Sequence, residues 1–99
     1  MAKGIVFNIL GARVKLHFQE KLFETGAVGL YDPDQKKIII DSRLNENDKL
    51  HTLIHEFVHA VQFRSGLVQT SIPQDLHEIM AETIATALIE NFEIKLKNN

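Results

Sequence analysis

The chain has 99 residues, a mass of 11.3 kDa and a formal net charge of −2, and we expect one domain spanning residues 1–99. It has no cysteine, which excludes disulfides, thiolate metal sites and cysteine nucleophiles. The near-neutral charge argues against a nucleic-acid partner, which would need clustered lysine and arginine.

The sequence predicts neither membrane insertion nor export. No apolar run approaches the ~18 residues that a membrane-spanning helix requires. The residues Met1 to Gly4 lack the charged region, apolar stretch and cleavage site of a signal peptide. We therefore expect a cytoplasmic protein with no membrane contact.

The first half of the chain predicts β-strands. Four short β-branched or apolar runs are candidates, and a glycine or an Asp-Pro-Asp turn separates the members of each pair. These runs are Ile5 to Leu10, Val14 to Phe18, Ala27 to Tyr31 and Lys37 to Asp41. We expect a meander of three or four antiparallel strands, followed by helices, which is an α+β fold.

The second half predicts two helices. Asn45 or Asn47 can cap the first, which should run to about Ser65 and end at Gly66. The second should begin at the segment from Ser71 to Pro73 and continue to about Leu96. The apolar stripes expected to face the core are Leu50, Ile54, Phe57 and Val61 on the first helix, and Leu76, Met80, Ile84, Ala87 and Leu88 on the second.

Residues 55–59 of the first helix read H-E-x-x-H. His55 and His59 are four residues apart, so their imidazoles lie on one helix face and can bind one zinc ion. Glu56 is adjacent and can serve as a general base toward water that the metal activates. The motif predicts a zinc hydrolase with one ion per chain.

A catalytic zinc site needs a third protein ligand. The metzincin pattern would place Gly and His where Gln62 and Ser65 stand, and peptide deformylases use a cysteine that this chain lacks. Two histidines plus a carboxylate from a following helix remain. We expect Glu78 to be the ligand and Glu82 to orient a ligand histidine, and the reverse assignment stays open. The other candidates for the third ligand are Asp75 and His77.

The segment from Thr52 to Asn91 resembles the gluzincin group of zinc metallopeptidases. The residues from Glu78 to Ala85 look like the E-x-x-A-N-x-F-A signature of ImmA/IrrE-type peptidases, with Glu82 and Ile84 in place of Asn and Phe. The residues around the motif also resemble small phage-encoded H-E-x-x-H proteins. The resemblance implies a minimal zincin-like fold, in which a small antiparallel sheet covers an active-site helix and a glutamate helix. In such folds an edge strand binds an extended peptide.

The function that we expect is cytoplasmic zinc-dependent hydrolysis of peptide bonds with a narrow substrate range. Tyr31, His51 and His77 are candidates for stabilising the oxyanion or contacting the substrate. The alternatives are a zinc-bound module that binds a peptide or protein without cutting it, and a small interaction protein without metal. An uncovered edge strand would also allow a homodimer.

Overall fold

The computed structural model describes residues 4–20, 26–67 and 70–96. Within these ranges the chain forms four strands and then two helices, which confirms the α+β class. The elements are β1 (Ile5–Ile9), β2 (Ala12–Gln19), β3 (Gly29–Asp32), β4 (Lys37–Asp41), α1 (Glu46–Arg64) and α2 (Gln74–Asn91).

Two hairpins form where the turn residues predicted them. β1 and β2 pair antiparallel through a tight turn in which Leu10 and Gly11 have φ angles of 47° and 86°. Glycine adopts this left-handed conformation at little cost, and such turns suit the twist of a hairpin. β3 and β4 are joined by a turn in which Asp32 Oδ1 accepts from the amides of Asp34 and Gln35.

The order of the sheet is β1-β2-β4-β3, so the predicted antiparallel meander is wrong. β2 pairs in parallel with β4, which makes the sheet mixed, and β3 lies at its edge. The reason lies in β4, whose consecutive residues Ile38, Ile39 and Ile40 are all buried. An uninterrupted apolar run of this kind favours an interior strand covered on both faces, rather than the edge position of a meander.

The first helix begins and ends as predicted. Asn45 is its N-cap, and the side-chain oxygen of Asn45 accepts from the backbone amide of Asp48 at 2.8 Å. Gly66, with a φ of +84°, follows the last turn. The helix packs against one face of the sheet and completes the core. The buried core cluster comprises Ile9, Ala12, Val14, Leu16, Ile38, Ile40, Leu53 and Ala60.

The second helix differs from its prediction in two ways. It ends at Asn91 rather than near Leu96, because Phe92 adopts extended backbone and the Asn91 side chain donates to the carbonyl of Ala87. Its buried side is also different from the predicted apolar stripe. The buried residues are His77, Ala81 and Ala85, whereas Leu76, Met80 and Ile84 are exposed. Neither helix, within the described ranges, has the length and apolarity needed to cross a membrane.

Candidate metal centre

The two histidines of the motif lie one turn apart on α1 and point the same ring nitrogen at a common position. His55 Nε2 and His59 Nε2 are 3.2 Å apart, and the two rings meet edge to face. Both side chains are mostly shielded, with 20% and 16% of their surfaces exposed. The helix therefore presents two nitrogen donors in a partly dehydrated setting.

Glu78 completes this pair from α2. Its Oε1 atom is 2.5 Å from His59 Nε2 and 3.6 Å from His55 Nε2. These three donor atoms all lie within 4.8 Å of one another. Donors bound to one tetrahedral ion with bonds of about 2.0–2.1 Å are separated by roughly 3.3 Å. The observed separations bracket that value, so the three residues fit a single metal ion.

Glu82 lies one turn further along α2 and contacts the other side of the His55 ring. Its Oε1 atom accepts from His55 Nδ1 at 3.0 Å, on the nitrogen that points away from Glu78. Its Oε2 atom is 3.4 Å from His51 Nε2, which is also 3.2 Å from Thr86 Oγ1. The structure therefore brings His51 to Glu82, on the side of the His55 ring that faces away from the three donor atoms.

Glu56 lies between the histidines and the edge strand β3. Burial raises the pKa of the Glu56 carboxyl, while nearby His59 and His55 act to lower it. A backbone hydrogen bond from Tyr31 on β3 also favours the ionised form of the carboxylate. The carboxylate is thus held close to the cluster without being one of its three donors.

Gly29 allows β3 to approach the helix this closely. A Cβ atom at position 29 would lie 2.5 Å from Thr52 Cγ2 and 3.2 Å from Glu56 Cγ, so even alanine would force a shift. Sequence reasoning missed Gly29 and also Gln62, which contacts His59. No local pattern marks Gly29, because its role depends on a contact between distant elements. Gln62 could have been found from its position three residues after His59 on the same helix.

A cleft of about 600 Å³ runs between β3 and the two helices. Its lining includes the donors and Glu56, together with apolar residues of β3 and the aromatic rings of Tyr31 and Phe63, whose centroids are 6.1 Å apart. Burial raises the pKa of the Tyr31 hydroxyl, and the Arg64 charge partly opposes this. The unpaired edge of β3 among the described strands borders the same cleft.

His77 occupies a different place from the other candidates. Its side chain is 2% exposed, is not part of the cleft lining, and has an Nδ1 atom without a hydrogen-bond partner among the described residues. Asp75 also lies outside the donor cluster and the cleft lining. Of the four residues considered as third ligand, the structure therefore brings only Glu78 to both Nε2 atoms.

Two helical histidines and a carboxylate from a second helix form a group that could hold a metal ion, and a further glutamate lies beside it, an arrangement that suits a metal-dependent hydrolase. Residues 8–87 match the model of a family described as "Putative metallopeptidase family (DUF6782)". The chain belongs to this family, which supports a metal-dependent peptidase as its class. No curated protein and no solved structure matches the chain.

Proposed function

We propose that the protein is a zinc-dependent peptidase of the gluzincin type, with His55, His59 and Glu78 as the metal ligands. The observation that carries the proposal is the convergence of three donor atoms from two helices within 4.8 Å. Two nitrogens and one carboxylate oxygen are a ligand set that suits zinc. The third ligand comes from a helix that follows the motif, which supports the gluzincin assignment and a minimal zincin-like fold.

The chain's own residues have separate tasks in this mechanism. When bound, zinc would supply Lewis-acid polarisation of the scissile carbonyl and would lower the pKa of water. Glu56 accepts the proton of the attacking water and delivers it to the leaving amine. In the metal-free protein, burial raises the pKa of Glu56 above that of a free glutamate, which favours the return of a proton to the leaving group.

The substrate that we propose is an extended peptide paired with the outer edge of β3. A peptide that adds to an edge strand, in either direction, is bound through backbone hydrogen bonds. Its side chains then determine the specificity through the surfaces that they contact. The apolar side chains of Val28 and Leu30 are 41% and 37% exposed beside the cleft. This lining favours apolar side chains and supports a restricted substrate range. The cytoplasmic location and the homodimer remain predictions.

The experiment that tests the function uses a diverse library of proteome-derived peptides, so that a narrow specificity is still sampled. We expect the zinc-loaded protein to generate new internal termini, detected by mass spectrometry. Cleavage should stop when a chelator removes the metal and return when zinc is added, because the hydrolytic water depends on the metal.

Two outcomes would contradict the peptidase. Peptides that co-purify with the zinc-loaded protein but stay intact would indicate the alternative function, a binding module that uses the β3 edge. Cleavage that persists after the metal has been removed would show that the activity does not come from this site. A mock-treated sample without chelator, passed through the same desalting steps, serves as the control.

A further inference from the structure

Gln62 is a polar side chain in an unusual position, with only 3% of its surface exposed. It follows His59 by three residues on α1, so the two side chains are neighbours on the helix surface. Its Oε1 atom lies 2.9 Å from His59 Nδ1, and its Nε2 atom donates to the carbonyl oxygen of His77 at 3.1 Å. Both ends of the buried amide are therefore used.

These two contacts fix the orientation of the amide and require a proton on one nitrogen of the ring. The carbonyl oxygen of His77 can only accept, so it must face the NH2 group of Gln62. The amide oxygen is then left to face His59, and an oxygen in that position requires a proton on His59 Nδ1. The nitrogen of His59 that remains for a metal ion is then Nε2, which is directed at Glu78.

The second contact extends the effect to α2. His77 immediately precedes Glu78, so the hydrogen bond ties the turn that carries the third donor to the helix that carries the first two. A buried amide group loses substantial hydrogen-bonding energy if either partner is withdrawn. One side chain thus holds both the ring of His59 and the backbone beside Glu78.

We propose that Gln62 is a positioning residue of the metal site, which holds the Nδ1–H group of His59 and sets the distance between His59 and Glu78. The proposal rests on the proposed function in so far as the site binds zinc. The hydrogen bond between Gln62 and His59 Nδ1 is present in the metal-free protein. Partners that orient a ligand histidine typically change metal affinity by about 10- to 100-fold when they are removed.

The test compares Gln62→Met with Gln62→Glu. Methionine is similar in length and removes both hydrogen bonds, whereas glutamate keeps the acceptor for His59 and loses the donor to the His77 carbonyl. We expect Gln62→Met to bind zinc about 10- to 100-fold more weakly in competition with a chelator, and Gln62→Glu to recover part of that loss. Gln35→Met, at an exposed turn position, is the control and should bind zinc like the wild type.

The second readout is the protonation of His59 Nδ1 in the metal-free wild type, measured by ¹⁵N NMR of the imidazole nitrogens. We expect Nδ1 to carry a proton in the wild type and in Gln62→Glu, and the fraction of rings protonated on Nδ1 to fall in Gln62→Met. A wild-type ring without a proton on Nδ1 would overturn the proposal even if the variants fail to fold. So would a folded Gln62→Met protein with unchanged zinc affinity. If the wild type binds no zinc, the proposed function fails, and the measurement of Nδ1 still tests the role of Gln62.

Discussion

The Glu56→Gln variant is expected to lose about 10²- to 10⁴-fold in kcat, the usual contribution of a positioned general base, and to keep its metal. The amide has nearly the shape of the carboxylate but cannot accept a proton from water. Glu56 is not one of the three donor atoms, so the zinc content should stay at the wild-type level. The measurement is the cleavage rate on a peptide identified from the library, with metal analysis of the same sample.

The stability of the metal-free variant gives a further check on Glu56. Burial raises the pKa of this carboxyl in the folded protein, so its ionised form is disfavoured there relative to the unfolded chain. That cost is absent well below the pKa that the carboxyl has in the unfolded chain. It grows as the pH rises between the unfolded and the folded pKa, and is fully present above the folded pKa. The neutral amide avoids the cost, so at pH 7 the melting temperature of Glu56→Gln should be equal to or higher than that of the wild type.

Glu46→Gln is the matched control, because Glu46 lies on the same helix with 92% of its side chain exposed. It should leave both cleavage and metal content unchanged. A Glu56→Gln variant that cleaves the peptide at the wild-type rate would refute the proposed mechanism. Loss of metal from Glu56→Gln would instead mean that Glu56 is a ligand.

Replacing the two glutamates of α2 should separate their roles. Glu82→Gln is expected to weaken zinc binding by about 10- to 100-fold, because Glu82 contacts His55 at Nδ1 and not at the metal-facing Nε2. Glu78→Gln should weaken it by more than that, because it replaces a charged donor that lies beside both Nε2 atoms. Zinc dissociation constants from chelator competition measure both effects.

Glu90→Gln is the control for a change of charge on α2, since Glu90 is exposed near the end of the helix, and it should bind zinc normally. A larger loss from Glu82→Gln than from Glu78→Gln would reverse the assignment of the two residues. Equal and negligible losses would mean that α2 supplies no ligand, and the gluzincin assignment would then fail.

The part of the site carried by α1 could be predicted because it depends on one helix. The spacing of His55 and His59 fixes their common face once the helix is known, and the cap at Asn45 and the glycine at position 66 mark its ends. The spacing of Glu78 and Glu82 likewise places both on one face of the next helix, and the need for a third ligand led us to expect that face beside the histidines. The two spacings are local regularities, whereas the meeting of the helices depends on the tertiary fold.

The order of the strands could not be predicted in the same way. Turn residues indicate which neighbouring strands form hairpins, and they did so correctly on both sides of the sheet. They do not determine how two hairpins join, and here β4 pairs in parallel with β2. The buried run from Ile38 to Ile40 was the available signal for an interior strand, because residues on both faces are apolar.

The orientation of α2 was also misjudged from its apolar residues. The helix packs through His77, Ala81 and Ala85, and its larger apolar residues face outward. Small side chains allow the backbones of two helices to approach, which here brings Glu78 to the histidines. A ranking by hydrophobicity favours the opposite side of the helix, so the pattern alone selected the wrong face as buried.

The measurement that tests the central claim most directly is the metal content of the untagged protein, determined by elemental analysis beside the His55→Ala/His59→Ala double variant. We predict about one zinc ion per wild-type chain and none in the double variant, because the histidines supply two of the three donors. A wild-type protein that holds no zinc after dialysis against it, or a double variant that holds as much as the wild type, would contradict the account.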